Sequence, residues 1–173
     1  VQFYPGGSVV FTGNPTTGIT PVDVNGAGAR VMWMPKQGAF RAGSVSSTEW
    51  DAANIGDNSF ATGFSTIALG YSSTAMGEST SASGYGSTAM GYRTAASGLY
   101  STTLGSATKA TNIASTSMGE STTASGYAST TMGYKTVASG SYSIAMGNQD
   151  SAKGSYSIAM GNNTIAFGSA STA

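Results

Sequence analysis

The chain has 173 residues, with seven basic and seven acidic side chains, no histidine, no cysteine and 25 glycines. Because imidazole and thiol groups are missing, the usual general base, the cysteine nucleophile and the common zinc ligands are missing too. We therefore expect no enzyme activity, no catalytic or metal site and no cofactor. The zero net charge argues against a nucleic-acid partner, and the apolar runs are too short for direct membrane insertion by this segment.

Residues 1–53 mix glycine, proline and aromatic residues without a period, which predicts a small, irregular, β-rich N-terminal cap or lead-in module. Trp33, Phe40 and Trp50 are large enough to cover the first open coil of the repeat that follows, and we assign them to the cap. Three carboxylates, Glu49, Asp51 and Asp57, lie at the junction with the repeat. Their spacing does not suit calcium, so we assign them to turns.

Residues 54–173 carry a glycine at every seventh position from Gly56 to Gly168, with Asn112 as the single exception. Asparagine is the residue that best replaces glycine at positive φ, so the column predicts a constrained backbone or a lack of space for a side chain. A glycine in every heptad would destabilise a helix, and no apolar a/d pair accompanies it. These two features exclude a coiled coil.

The residues ahead of each glycine alternate in character, as the two faces of a strand do. Alanine mostly stands two residues before the glycine and serine or threonine two further back, which predicts a narrow interior lined by small groups. The residue just before the glycine alternates between a large apolar and a small or polar type, so the true unit spans two glycines and contains two unlike strands. This pattern predicts an all-β fold, a parallel β-solenoid of 14-residue coils.

The large apolar residues of that column form a stripe on the outside of the predicted solenoid. A contiguous stripe of this kind indicates an interface, because single exposed apolar residues are ordinary and ladders are not. The pattern identifies the face and leaves two-fold and three-fold assembly open. The stripe consists of Met76, Met90, Leu104, Met118, Met132, Met146 and Met160.

A longer, 42-residue repeat brings acidic and basic residues into a common pattern. Arg93 follows Glu78 by 15 residues, and Lys135 follows Glu120 by the same spacing. Since a coil has 14 residues, each pair lies on neighbouring coils near one corner. A solvated ion pair between coils and a clamp between chains are both open interpretations. Tyrosines also recur at the corners, where they either stack or form a contact surface; they are Tyr71, Tyr85 and Tyr127, then Tyr92 and Tyr134, then Tyr100, Tyr142 and Tyr156.

The segments 87–91, 143–147 and 157–161 read Ser-Thr-Ala-Met-Gly, Ser-Ile-Ala-Met-Gly and Ser-Ile-Ala-Met-Gly. They resemble the head repeat of trimeric autotransporter adhesins, the YadA-like heads, over about residues 54–169. The resemblance implies a left-handed parallel β-roll, a homotrimer around one axis, and a trimer core that adds Ile144 and Ile158 to the methionine stripe. No coiled-coil stalk or membrane anchor is recognisable, so we expect a head fragment.

The resemblance implies a structural and adhesive head module of a bacterial cell-surface or extracellular fibre, anchored at the outer membrane. It would act through multivalent contact with an extracellular matrix protein, a glycan or a host receptor. The alternatives are a segment of a phage or contractile-injection tail fibre, as a spacer or receptor reader, and a subunit of an extracellular filament.

Overall fold

The computed structural model describes residues 25–173 and, before them, only two short antiparallel strands, β1 (Gln2–Phe3) and β2 (Val9–Val10). The described chain is all-β, apart from one 3₁₀ turn at Ala52–Asn54. It contains no helix long and apolar enough to cross a membrane.

A hairpin and eight coils make up the described chain after residue 25. The hairpin consists of β3 (Gly28–Met34) and β4 (Ala39–Val45). Each coil then adds one five-residue strand and one two-residue strand. The longer strands are β5 (Phe60–Phe64), β7 (Thr74–Glu78), β9 (Thr88–Tyr92), β11 (Thr102–Ser106), β13 (Thr116–Glu120), β15 (Thr130–Tyr134), β17 (Ile144–Asn148) and β19 (Ile158–Asn162). The shorter strands are β6 (Ile67–Ala68), β8 (Ser81–Ala82), β10 (Ala95–Ala96), β12 (Lys109–Ala110), β14 (Thr123–Ala124), β16 (Val137–Ala138), β18 (Ser151–Ala152) and β20 (Ile165–Ala166).

The strands of the eight coils form two sheets in which they pair in parallel and equivalent residues of successive coils are direct neighbours. The longer strands of the coils continue from β4 in a ten-stranded sheet, and the shorter ones make an eight-stranded sheet. Met76 pairs with Met90 and Met118 with Met132, so the register equals the period of the sequence. The predicted parallel solenoid of 14-residue coils is therefore confirmed.

The interior between the two sheets is lined by small side chains, as the alternating pattern predicts. Alanines of both sheets are completely buried and form one cluster in the first coils and another in the last. Between the clusters, Thr103, Ser117 and Thr131 take the alanine positions of the longer strands. Thr131 Oγ1 donates to Ser117 Oγ of the preceding coil at 2.9 Å, whereas Thr103 Oγ1 has no hydrogen-bond partner. Such an interior buries little apolar surface for its size.

The seven-residue glycine column exists because the coils stack closely. A Cβ atom on Gly84 would lie 2.0 Å from the carbonyl oxygen of Gly98 in the next coil. Only alternate glycines of the column also have positive φ, and Asn112 belongs to the other half. The explanation of Asn112 by positive φ is therefore wrong. Asn112 is held by its amide, whose Nδ2 donates to Ser125 O at 2.9 Å and whose Oδ1 accepts from Ile113 N at 2.8 Å.

Left-handed backbone occurs regularly two residues after the positions of the glycine column. The residues there include Ser72, Arg93, Tyr100 and Ala114, all with φ between 52° and 56°. The amide of each donates to a carbonyl of the preceding coil, as Arg93 N does to Glu78 O at 2.9 Å. The turn therefore bonds each coil to the one before it at both corners.

The hairpin is joined to the first coil through strand pairing. β3 and β4 are antiparallel, whereas β4 pairs in parallel with β5, so that Gly43 lies opposite Gly63. On the inner side, Met34, Ala39 and Ile55 form a small buried cluster. Cap and repeat thus share one continuous sheet.

Candidate functional site

The apolar stripe forms one outer column of the ten-stranded sheet. Its side chains alternate between exposed and half-buried, and the exposed ones range from 36% at Met76 to 53% at Met160. A second outer column runs beside it through Thr74 and Thr88 to Ile144 and Ile158, again in register. We call the two columns together the assembly face. It consists of Met76, Met90, Leu104, Met118, Met132, Met146 and Met160, with Ile144, Ile158 and the preceding threonines beside them.

The assembly face continues across the hairpin. Trp33 lies opposite Phe40, and Phe40 opposite Phe60, which precedes Thr74 in the same outer column. The Phe40 and Phe60 rings stack with centroids 5.5 Å apart. Trp33 remains 44% exposed. The structure thus places Trp33 and Phe40 on the outer face, whereas the sequence assigned both to covering the first coil.

Trp50 and an unanticipated arginine occupy the end of the solenoid interior. The Trp50 indole is buried and donates from Nε1 to Thr66 O at 2.8 Å. Arg41 lies opposite Ala61, so its side chain continues the inner alanine column. Its guanidinium is fully buried and donates to Ser59 Oγ at 2.7 Å and to Ala68 O at 3.0 Å. Burial in this setting lowers the pKa of Arg41 to about 10.

The four residues of the predicted ion pairs lie at the corner where each longer strand ends. Arg93 donates from its backbone nitrogen to Glu78 O, and Lys135 does the same to Glu120 O, both at 2.9 Å. The side chains of the two cations lie over aromatic rings, Arg93 over Tyr92 and Lys135 over Tyr134, each 5.0 Å from the centroid. The solvated ion pair between coils and the clamp between chains both stay predictions.

Six tyrosines at the opposite corner form two stacked groups. Tyr71 stacks on Tyr85 at 5.1 Å, and Tyr85 meets Tyr100 edge to face at 5.4 Å. Tyr127, Tyr142 and Tyr156 form the second group, again with one stacked and one edge-to-face contact. The sequence placed these residues in two separate corner columns, but adjacent turn positions bring their rings into one ridge. All six rings remain more than a third exposed.

Two of the three junction carboxylates, Glu49 and Asp51, bond to nearby turns. Glu49 accepts from Ser46 Oγ and Ser47 N, both at 2.8 Å, and Asp51 accepts from Gly26 N at 2.8 Å. Partial burial opposes the charge of Glu49, but its hydrogen bonds outweigh that effect and lower its pKa. Across the described residues, no group of three acidic side chains could hold a metal ion.

Asp150 is a buried carboxylate that the sequence interpretation missed. It occupies the inner column otherwise filled by threonines such as Thr136 and Thr164, one coil to either side. Its oxygens accept from Thr164 N at 2.8 Å, Thr164 Oγ1 at 2.6 Å and Gly161 N at 3.0 Å. Aligning the sequences of the coils would have revealed that Asp150 stands at a threonine position. Its role is to bind the turn of the last complete coil.

A comparison with protein families agrees with this architecture. The model of the YadA head domain repeat matches residues 61–82, 68–94, 82–108, 124–149 and 152–173. No curated protein matches the chain. The unmatched residues 109–123 include Asn112, where the glycine column is interrupted. Because the matched segments cover more than half of the chain and the structure is a solenoid of the predicted period, the chain belongs to the family of YadA-like head repeats.

Proposed function

We propose that this chain is the homotrimeric, adhesive head of a fibre on a bacterial surface, with three copies joined through the assembly face. The observation that carries the proposal is the unpartnered apolar face itself. It extends from Trp33 on the hairpin to Met160 on the last longer strand, and within the described chain nothing covers it. An exposed apolar surface of this length is typical of an interface.

The composition of the interior supports the same conclusion. Alanine, serine and glycine supply little hydrophobic stabilisation, whereas burying one methionine completely contributes about 1.5–3 kcal/mol. Association through the assembly face would therefore give the coils the apolar core that a single chain lacks. Membership of the YadA-like family supports three-fold symmetry over two-fold.

The proposed action is attachment by multivalent contact, without catalysis. Three identical rods joined side by side present every outer surface three times, so weak individual contacts add up to strong retention. The absence of histidine and cysteine from the sequence supports a non-enzymatic role. A matrix protein, a glycan or a host receptor is the partner class, and the fibre would be anchored at the outer membrane.

The molar mass in solution tests the assembly. Light scattering over a wide concentration range should give three times the chain mass of 17.2 kDa. A monomer would overturn the proposal, and open-ended particles would replace it with a filament subunit. Attachment is tested by passing the trimer over immobilised matrix proteins and host glycans. Dissociation should slow as ligand density rises, and retention on none of these surfaces would contradict an adhesive role.

A further inference from the structure

A cleft of about 500 Å³ lies where the hairpin meets the first two coils. It is lined by the hairpin turn, with Trp33, Lys36 and Gln37, and by the corner residues Asp57, Asn58 and Tyr71. Its volume falls in the range of about 300–1,000 Å³ that is common for small-molecule sites. Unlike the assembly face, the cleft combines aromatic rings with several hydrogen-bonding groups.

The walls of the cleft are fixed to each other by backbone contacts. Asn58 N donates to Gln37 O at 2.6 Å, and Ser72 N donates to Asp57 O at 2.8 Å. A Cβ on Gly38 would lie 2.6 Å from Asn58 Oδ1, so the turn and the corner are in close contact. A site held in this way loses little freedom when a ligand binds.

The side chains around the cleft suit a neutral, hydroxyl-rich ligand with apolar ring faces. Tyr71 leaves 46% of its surface exposed, as a platform on which the C–H face of a pyranose ring can pack. Gln37 Oε1 is buried without a hydrogen-bond partner, an unfavourable arrangement that a donor on a ligand would relieve. Lys36 and Asp57 give the cleft one charge of each sign, which favours a neutral sugar over an anionic one.

The tyrosine ridge extends the cleft in one direction. Tyr71 belongs to both, and from it the rings of Tyr85 and Tyr100 follow at 5.1 and 5.4 Å, one per coil. That step is close to the length of one sugar unit in a linear chain. The second tyrosine group, which contains Tyr127 and Tyr142, also has one stacked and one edge-to-face contact but lies four coils further from the hairpin and from the cleft it forms.

We propose that the cleft binds the end of a neutral oligosaccharide and that Tyr71, Tyr85 and Tyr100 hold the following sugar units. The proposal rests on the adhesive function proposed above and names the ligand class of that head. In the assembled head the site would be present three times, once per chain.

The experiment measures binding of lactose, N,N′-diacetylchitobiose and cellotetraose to the intact protein by saturation-transfer NMR and calorimetric titration, with sialyllactose and a heparin oligosaccharide as anionic comparisons. Tyr71→Ala and Gln37→Ala should each weaken binding of the preferred sugar by about tenfold. Tyr85→Ala should weaken binding of the longest sugar most. Its matched control is Tyr127→Ala, three coils further along the same corner, which should leave the affinity within about twofold.

Three results would overturn the proposal. The first is no saturation transfer to any of the three neutral sugars. The second is an equal loss of sugar affinity in Tyr85→Ala and Tyr127→Ala. The third is a preference for sialyllactose or a heparin oligosaccharide. The molar mass of each protein keeps the two proposals separate. A trimer that binds no sugar refutes only the proposal that the cleft binds sugar. A monomer that binds sugar refutes only the proposed trimer, because the cleft lies within one chain.

Discussion

Left-handed backbone at the turns is the most regular residue-scale feature of this chain. Among the residues that the structure describes, sixteen non-glycine residues have φ between 48° and 59°, spaced by seven or its multiples. For an L-residue this conformation costs roughly 1–2 kcal/mol, and asparagine tolerates it best. Each amide at this position donates to the preceding coil, as Ala114 N does to Leu99 O at 2.8 Å. The strain is thus offset by one inter-coil hydrogen bond per turn.

Replacing Ala114 with glycine should therefore stabilise the protein. Ala114 is exposed and has φ of 55°, so the change removes strain without removing a contact, and we expect a gain of about 0.5–1 kcal/mol. The measurement is the midpoint of urea or thermal unfolding. Ala110→Gly is the matched control, because Ala110 is completely buried in β12 and its loss should destabilise. Similar losses of stability in both variants would show that strain at the turns does not limit the stability of the protein.

Sequence could reveal the glycine column but not the left-handed one. Close stacking disfavours side chains at these positions, so all of them except Asn112 are glycine and the period is visible. The left-handed positions are filled by residues as different as Ser72, Arg93, Tyr100 and Ala114, which share no chemistry. Asn112 was misread for a related reason. A residue type such as asparagine suggests a positive φ. Only the structure shows that alternate positions of the glycine column have a positive φ and that Asn112 is not one of them.

At the scale of elements, the first coil depends on how its open end is closed. End coils of a solenoid have a neighbour on one side only, so they open most easily. Here β4 supplies the missing neighbour, and Arg41 fills the interior with a cation whose partners are all neutral. A buried guanidinium is tolerated because four acceptor contacts surround it, including Phe40 O at 2.8 Å.

Arg41→Ala should loosen the N-terminal coils selectively. The change leaves a cavity and orphans the acceptors on Ser59 and Ala68, for which we expect a local cost of about 3 kcal/mol. Amide hydrogen exchange should speed up in β5 and β6 and stay unchanged in β17 and β19. Arg30→Ala is the control, since Arg30 is only half-buried and its guanidinium donates to Gly26 O. Uniform acceleration along the rod would argue against a local role.

The pairing of β4 with β5 was open to prediction, but the burial of Arg41 was harder to foresee. Residues 40–43 and 60–63 share the form Phe-x-x-Gly, and these are the residues that pair in register. Aligning them would have placed Arg41 in the alanine column. The residue type argued against burial, because arginine is almost never fully buried without a charged partner. Side-chain size assigned Trp33 and Phe40 to covering the first open coil, although alternation places both on the outer face.

At the scale of the whole molecule, the two sheets give the rod two unlike outer sides. The side formed by the longer strands carries methionine, leucine, isoleucine and threonine. The side formed by the shorter strands carries mainly small and polar residues, interrupted by Lys109 and Val137. The interior is lined by small side chains of both sheets along the rod, so the difference between the two sides lies in their outer residues. The asymmetry, which the 14-residue period encodes, therefore determines which side meets other chains and which side meets solvent.

Charges placed on the assembly face should separate the chains. The double substitution Met90→Asp and Met132→Asp would bring two unpaired carboxylates per chain into the proposed trimer core, so we expect a monomer with a much lower unfolding temperature. Light scattering and thermal unfolding monitored by circular dichroism measure both effects. The matched control is Ser97→Asp with Ser139→Asp, half a coil further along and exposed on the opposite side. That control should keep the trimer mass, because its charges stay in water. If the methionine variant remained a trimer and the serine variant dissociated, the chains would associate through the shorter strands, and the methionine columns would be the outer surface of the head.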